Sequence, residues 1–231
     1  MIATLAGLTV AASASATFTG YVVTSQAASN SGQSLTVYTV WARFNGPTDT
    51  VLNAFNLAGV AGSSMTGFWH KDNAYYNSGV LQQEFGTWNP SQTGSVPNNR
   101  PFDSYLTIGG LATPTNTTNA DPSWTSGGNA DARSWNRADL PNNGTLGWFN
   151  SNPPSNQGRV GNTGNTATDV RLGQFVLSAN DSAARTYSLT IGYNDGVPGS
   201  QVAFGSGSFS LPTPGAIALL GLAGLAGRRR R

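Results

Sequence analysis

The segment Ser34–Phe44, SLTVYTVWARF, decides the fold of this chain. Its side chains alternate with period two, and the β-branched and aromatic residues it carries are typical of a strand rather than a helix. Because apolar residues occur on both faces, we expect this to be a central strand of a sandwich. One face carries Leu35, Val37, Thr39, Trp41 and Arg43, and the other carries Thr36, Tyr38, Val40, Ala42 and Phe44.

The flanking segments predict further strands. FTGYVVTS, residues 18–25, alternates in the same way, and Gly46-Pro47 marks a turn before a third strand. Three more strands are expected at 169–178, at 186–193 (stopped by the turn residues Asn194-Asp195-Gly196) and at 201–211. On the third strand we expect one face to carry Val51, Asn53, Phe55 and Leu57. On the strand at 169–178, one face carries Val170, Leu172, Gln174 and Val176, and the other carries Arg171, Phe175 and Leu177. On the next strand, one face carries Tyr187, Leu189, Ile191 and Tyr193.

These strands predict an all-β fold. No segment outside the termini has a 3.6-residue apolar period of helical length. We therefore expect a single antiparallel β-sandwich, jelly-roll-like, over residues 17–211, with long central loops between Gly67 and Gly164.

Composition excludes several classes of function. The chain has no cysteine, which rules out disulfides, thiol catalysis and cysteine-based metal sites, and its single histidine, His70, rules out mechanisms that need two. Four of the 12 basic residues form the C-terminal cluster, so the rest of the chain carries 8 basic against 10 acidic residues. Eight scattered basic residues cannot form the large basic surface that binds DNA or RNA, and we expect no nucleic-acid partner.

The N-terminal segment, residues 1–16, resembles the apolar part of a secretory signal. Small residues at Ala12, Ala14 and Ala16 offer A-x-A cleavage sites, but no Lys or Arg occurs before Arg43. We interpret residues 1–16 as a signal-peptide remnant whose basic region lies upstream of Met1.

The C-terminal segment, LPTPGAIALLGLAGLAGRRRR, combines two prolines, a short apolar run and an arginine cluster. The run 216–226 predicts a hydrophobic helix that, at about 1.5 Å per residue, covers roughly half of a ~30 Å hydrocarbon core. It therefore suits transient membrane association better than permanent anchoring.

This order of features resembles the PEP-CTERM sorting signal of exported bacterial proteins, in a variant with threonine at the glutamate position. The resemblance covers residues 212–231. It implies an exosortase-type processing enzyme as a partner, and a location at the cell surface or outside the cell, often beside exopolysaccharide. The motif residues are Pro212, Thr213, Pro214, Gly215, Arg228, Arg229, Arg230 and Arg231.

The central loops contain five of the six tryptophans, among Asn, Asp, Gly and Ser. Exposed aromatic rings beside amides are the chemistry of sugar-binding faces, so Trp124, Trp135 and Trp148 are candidate glycan-binding residues. The alternative is that these rings pack the loops onto the sandwich.

Other chemistry is weakly indicated. Four loop carboxylates could in principle form a glycosidase pair, although nothing in their spacing requires it: Asp103, Asp121, Asp131 and Asp139. His70 lacks the Gly-x-Ser-x-Gly context of a hydrolase triad and is better placed for packing. No cofactor is expected; loop oxygens would suit a structural calcium ion, yet no EF-hand register is present.

From these features we expect a non-catalytic exported protein of the cell surface or extracellular matrix, structural or associated with exopolysaccharide. The alternatives are a glycan-binding module that uses the loop aromatics and, with less support, a secreted enzyme acting on glycans.

Overall fold

The computed structural model describes residues 16–72, 79–93, 97–125 and 135–213. They form two antiparallel sheets, which confirms the all-β sandwich. The four-stranded sheet has the order β1 (Phe18–Asn30), β2 (Gln33–Phe44), β7 (Asp169–Ser178), β4 (Tyr105–Leu106). The five-stranded sheet has the order β5 (Thr118–Ala120), β6 (Leu146–Asn150), β3 (Thr50–Gly59), β8 (Thr186–Asn194), β9 (Ala203–Ser210).

Strand β2 is central, as its two apolar faces predict. It pairs with β1 through a tight hairpin whose loop residues, Ser31 and Gly32, have φ of 50° and 76°, and with β7 on its other side. Two positive φ angles give a loop the twist that antiparallel strands need. Its inner face enters the main core, and Leu35 and Val37 join a second cluster with Val176.

The expected faces of β3 and β7 are partly wrong, because bulges change the phase of the alternation. In β3 the register shifts twice, Asn56 adopts a φ of 57°, and the buried residues are Val51, Ala54 and Leu57 instead of an unbroken i, i+2 series. In β7 the register shifts beside Gly173, so Phe175 faces the main core while Val176 faces the second cluster. Each bulge inserts an extra residue that moves every later side chain to the opposite face.

Strands β8 and β9 follow their predictions. Tyr187, Leu189, Ile191 and Tyr193 all lie in the main core, and β9 pairs with β8 along its whole length. The packed body extends to the end of this hairpin: Leu211 is buried and donates its N–H to the Arg185 carbonyl, and the Tyr38 hydroxyl donates to the Pro212 carbonyl at 2.5 Å.

The central region contains short elements between long irregular segments. Its described residues hold one α-helix, α1 (Pro90–Thr93), and 3₁₀ turns at Arg100–Phe102, Pro122–Thr125 and Pro153–Ser155. Within the described part of the chain, no helix has the length and hydropathy needed to cross a bilayer. The expected C-terminal hydrophobic helix lies outside the described residues, and so do residues 1–15 of the predicted signal-peptide remnant 1–16. Ala16, its last residue, is described and packs against the main core.

Candidate functional site

The three candidate glycan-binding tryptophans lie in the protein interior. Trp124, Trp135 and Trp148 are 0%, 3% and 2% exposed. Their indole N–H groups are also satisfied internally: Trp124 donates to the Gly147 carbonyl at 2.8 Å and Trp148 to the Thr107 carbonyl at 3.0 Å. A ring that stacks on a sugar must present a free face to solvent, so these residues cannot form the binding platform that the loops suggested. They pack the loops onto the sandwich instead.

The candidate catalytic carboxylates also have structural partners. Asp121 accepts the Ser123 N–H at 2.8 Å, and Asp139 accepts the Gly67 N–H at 3.0 Å. Asp103 is fully buried, and Asp131 lies outside the described residues. These carboxylates therefore bind three different backbone segments: Asp121 its own turn, Asp139 the segment at Gly67 and Asp103 the segment at Lys71.

Only the beginning of the sorting motif is described. Pro212 and Thr213 continue from the last strand at the protein surface, with Pro212 exposed. The remaining motif residues lie outside the described residues: Pro214, Gly215, Arg228, Arg229, Arg230 and Arg231.

A buried cluster of three polar side chains lies where the central loops meet the four-stranded sheet. We call His70, Asp72 and Asp103 the His-Asp-Asp cluster; they are 0%, 1% and 0% exposed. One potential ligand atom from each lies within 4.8 Å of the other two. His70 is held in place by reciprocal backbone hydrogen bonds with Gln82 at 2.7 and 2.8 Å.

The hydrogen bonds of the cluster leave one atom of each side chain without a partner. His70 Nε2 lies 2.9 Å from the Ala138 carbonyl, and because a carbonyl can only accept, the proton is on Nε2 and Nδ1 carries a lone pair. Asp72 Oδ1 accepts the Thr87 N–H at 3.3 Å, and Asp103 Oδ1 accepts the Lys71 N–H. Among the described residues, His70 Nδ1, Asp72 Oδ2 and Asp103 Oδ2 are buried and have no hydrogen-bond partner.

Burial changes the acid–base properties of all three groups. It raises the pKa of Asp72 to about 7, and it raises the pKa of Asp103 well above its usual range, with the charge of Asp72 adding to the effect. It lowers the pKa of His70 to about 4, although backbone groups of Ala138, Ser104 and Thr87 favour its charged form. The ammonium of Lys71 donates to Asn30 Oδ1 at 3.1 Å and not to either carboxylate. The cluster thus concentrates two acidic groups without a bonded cation.

A surface groove lies on the outer face of the four-stranded sheet. This sheet-face groove has a volume of about 420 Å³ and is bordered by β1, β2, β7, β4 and the 3₁₀ turn at Arg100–Phe102. Its polar lining includes Gln26, Thr39, Arg100, Tyr105, Arg171 and Gln174. The described residues that line it include two arginines and no acidic side chain.

Arg171, one of the two cations of the sheet-face groove, is held by neighbouring side chains. Its guanidinium lies 4.8 Å from the centre of the Trp41 ring, and Nη1 donates to the Tyr105 hydroxyl at 2.9 Å. Trp41, which is partly exposed, donates its own N–H to Thr24 at 3.1 Å. Among the described residues, Arg171 Nε has no acceptor. These contacts fix the plane of the guanidinium, and the Nε that lacks an acceptor is itself buried.

Neither site was predicted from the sequence. His70 and Asp72 are two residues apart, a spacing that places both side chains on one side of extended backbone, and this was an available signal. Asp103 is brought to them only by tertiary structure. The sequence does not reveal the groove because Arg171 and the Trp41 ring beside it lie on regular strands, whereas the loop aromatics favour a site in the loops. Both sites are interpreted from their own geometry and charge, because no family model, no curated protein and no solved structure matches the chain.

Proposed function

We propose that this chain is an exported, non-catalytic protein of the bacterial cell surface or extracellular matrix that binds acidic exopolysaccharide in the sheet-face groove. The observation that carries the proposal is the pair of arginines, Arg100 and Arg171, in a groove lined otherwise by amides, hydroxyls and apolar groups. Export rests on the resemblance of residues 212–231 to a sorting signal.

The charge of the groove favours an anionic polymer. Outside the C-terminal arginine cluster the chain has more acidic than basic residues, yet the described lining of the groove has only basic ones. A guanidinium pairs with a carboxylate through two parallel hydrogen bonds, and these charge-assisted bonds are stronger than those between neutral groups. Uronic acids, or sugars with acidic substituents, offer such groups beside hydroxyls that Gln26 and Thr39 can bond.

The same lining supports binding without turnover. Glycoside hydrolysis ordinarily uses two carboxyl groups on opposite sides of the scissile bond, and the described lining of the groove supplies none. Asp72 and Asp103 have raised pKa values but are enclosed, at 1% and 0% exposure, where a polysaccharide cannot reach them. The glycan-acting enzyme is accordingly the weaker alternative.

The position of the sorting motif is compatible with processing. The packed body ends at Leu211 and at the hydrogen bond from Tyr38 to the Pro212 carbonyl. An exosortase-type enzyme that cut beyond Thr213 would leave these contacts intact. In this scheme the apolar segment inserts only transiently into the membrane.

We expect the chain to be retarded in affinity electrophoresis through gels containing a polyuronate, and to migrate normally through gels containing neutral dextran. Arg171→Gln and Arg100→Gln should each weaken polyuronate binding about tenfold, or ~1.4 kcal/mol, and binding should weaken as salt is raised. Arg159→Gln, which removes an arginine outside the groove lining, is the matched control and should bind like wild type. Equal retardation by neutral and acidic polymers, or unchanged binding in both groove variants, would contradict the proposal.

A further inference from the structure

The His-Asp-Asp cluster has the composition of a metal site and shares no residue with the lining of the proposed polysaccharide groove, although Gln174 of that lining donates to the Asp103 carbonyl at 2.8 Å. All three side chains are at most 1% exposed. Each carries one buried atom with electron pairs and, among the described residues, no hydrogen-bond donor directed to it: His70 Nδ1, Asp72 Oδ2 and Asp103 Oδ2. A buried polar atom without a partner is costly, and three in one cluster call for a common explanation.

A single divalent cation can satisfy all three. Ligand atoms on one zinc ion lie about 3–4 Å apart, given metal–ligand distances of roughly 2.0–2.2 Å, and in this cluster one ligand atom per side chain lies within 4.8 Å of the others. Two ionised carboxylates carry a charge of −2, which one divalent ion neutralises. Lys71, the nearest cation in sequence, is bonded to Asn30 instead.

The surroundings of His70 match those of a metal-binding imidazole. Metal-bound histidines almost always donate the other ring N–H to a carbonyl or carboxylate, which fixes the tautomer. Here Nε2 donates to the Ala138 carbonyl at 2.9 Å. The ring is also held by packing, since a Cβ at Gly86 would lie 2.3 Å from His70 Cγ and the His70 and Trp88 rings are 5.0 Å apart.

The ligand types select the class of metal. Calcium and magnesium prefer oxygen ligands alone, whereas imidazole is a preferred ligand of zinc and other first-row transition ions. The cluster therefore does not have the all-oxygen character of the calcium site that loop carboxylates suggested.

We propose that His70, Asp72 and Asp103 bind one divalent transition-metal ion, of which zinc is the representative. Since the ligands are enclosed, the ion's role is structural: it joins the segment at His70–Asp72 to the strand entry at Asp103, in a chain that has no cysteine for disulfides. The imidazole of His70 also donates to the Ala138 carbonyl, so three loop segments meet at the cluster.

The test uses the full chain without a histidine tag, so that His70 is the only imidazole. We expect about one zinc per chain by elemental analysis, a lower melting temperature after chelation, and recovery on adding Zn²⁺ but not Ca²⁺, because a ligand that binds only the folded state stabilises it. X-ray absorption of the zinc form should show one imidazole and otherwise oxygen ligands. Asp103→Asn should weaken zinc binding more than ~100-fold, beyond the loss seen for outer-shell changes. Asp195→Asn is the control, because it removes a turn carboxylate at the end of β8, outside the cluster, and it should bind like wild type.

The alternative is a carboxyl pair that shares a proton beside a neutral histidine. In that case the wild-type protein would contain no zinc, chelator and Zn²⁺ would leave the melting temperature unchanged, and the metal proposal would be overturned. It would equally be overturned if bound zinc showed no imidazole ligand. This second measurement needs only the wild-type protein, so it decides the question even if Asp103→Asn does not fold.

Discussion

Arg185→Met is expected to lower the free energy of unfolding by about 3–5 kcal/mol, the range for breaking a buried ion pair by removing one partner. The Arg185 side chain is 3% exposed and pairs with Asp181 at 2.8 Å. The same guanidinium donates to the carbonyls of Thr66 at 2.8 Å and Ser64 at 3.3 Å and lies over the Phe68 ring. Methionine fills similar volume but leaves Asp181 without its cation and the Thr66 carbonyl without the guanidinium donor, while the Ser64 carbonyl keeps the Tyr187 hydroxyl. Urea unfolding followed by circular dichroism measures the effect.

Two variants control this prediction. Arg185→Lys keeps the charge and loses the planar fork, so we expect an intermediate loss of stability. Arg43→Met removes the cation of the other ion pair among the described residues, Arg43–Asp169, whose arginine side chain is 49% exposed. We expect a much smaller loss there, because solvent screens exposed pairs. Equal losses for Arg43→Met and Arg185→Met would show that burial and the carbonyl contacts are not the cause.

Arg185 also explains how an irregular segment is attached without cysteines. It precedes β8, and its carbonyl partners lie just after β3, so one side chain joins the β8 strand to the segment that leads into the central loops. The Tyr187 hydroxyl joins β8 to the same segment, because it donates to the Ser64 carbonyl at 2.5 Å. Buried polar hubs of this kind provide the fixed geometry that disulfides give to many exported proteins.

The sandwich could be predicted because period-two patterns survive in most of its strands. Tyr187 to Tyr193 alternate without interruption, and the structure buries each predicted residue of that face. The pattern failed at Asn56 and Gly173, where bulges shift the register. A bulge depends on how one strand fits its neighbours, and that information is not contained in the alternation of a single segment.

The candidate sites could be predicted much less well. Loop tryptophans beside amides have the same local sequence whether they bind sugar or fill the core, and only the total supply of apolar residues distinguishes the two cases. Trp88 and Trp124 occupy core positions that strands rich in Thr, Ser and Gly leave unfilled. By contrast, Trp41 is partly exposed beside the groove, although it belongs to a strand with apolar residues on both faces. Asp103 reaches His70 only through the folded loops.

Trp124→Ala should therefore act on stability and not on ligand binding. Trp124 is 0% exposed, its ring centre lies 4.9 Å from that of Trp135, and its N–H satisfies the Gly147 carbonyl. Removing the ring leaves a cavity and takes from the Gly147 carbonyl one of its two donors, the other being the Asp121 N–H. Large aromatic-to-alanine changes in cores cost about 3–5 kcal/mol. Trp124→Phe retains much of the volume and loses the hydrogen bond, so we expect a smaller cost, about 1–2 kcal/mol. Urea unfolding of both variants gives these values.

Trp41→Ala provides the matched comparison, since it removes the same side chain from the surface of the four-stranded sheet. Its ring supports the Arg171 guanidinium at 4.8 Å, so its loss should release Arg171 and weaken polyuronate binding, at a stability cost clearly below that of Trp124→Ala. Folded Trp124→Ala, assayed below its unfolding transition, should bind like wild type. Suppose instead that Trp124→Ala is stable but no longer binds, while Trp41→Ala binds normally. That outcome would show that the glycan binds at the central loops and not in the groove. The two tryptophans thus separate a packing role from a binding role with one substitution at each position.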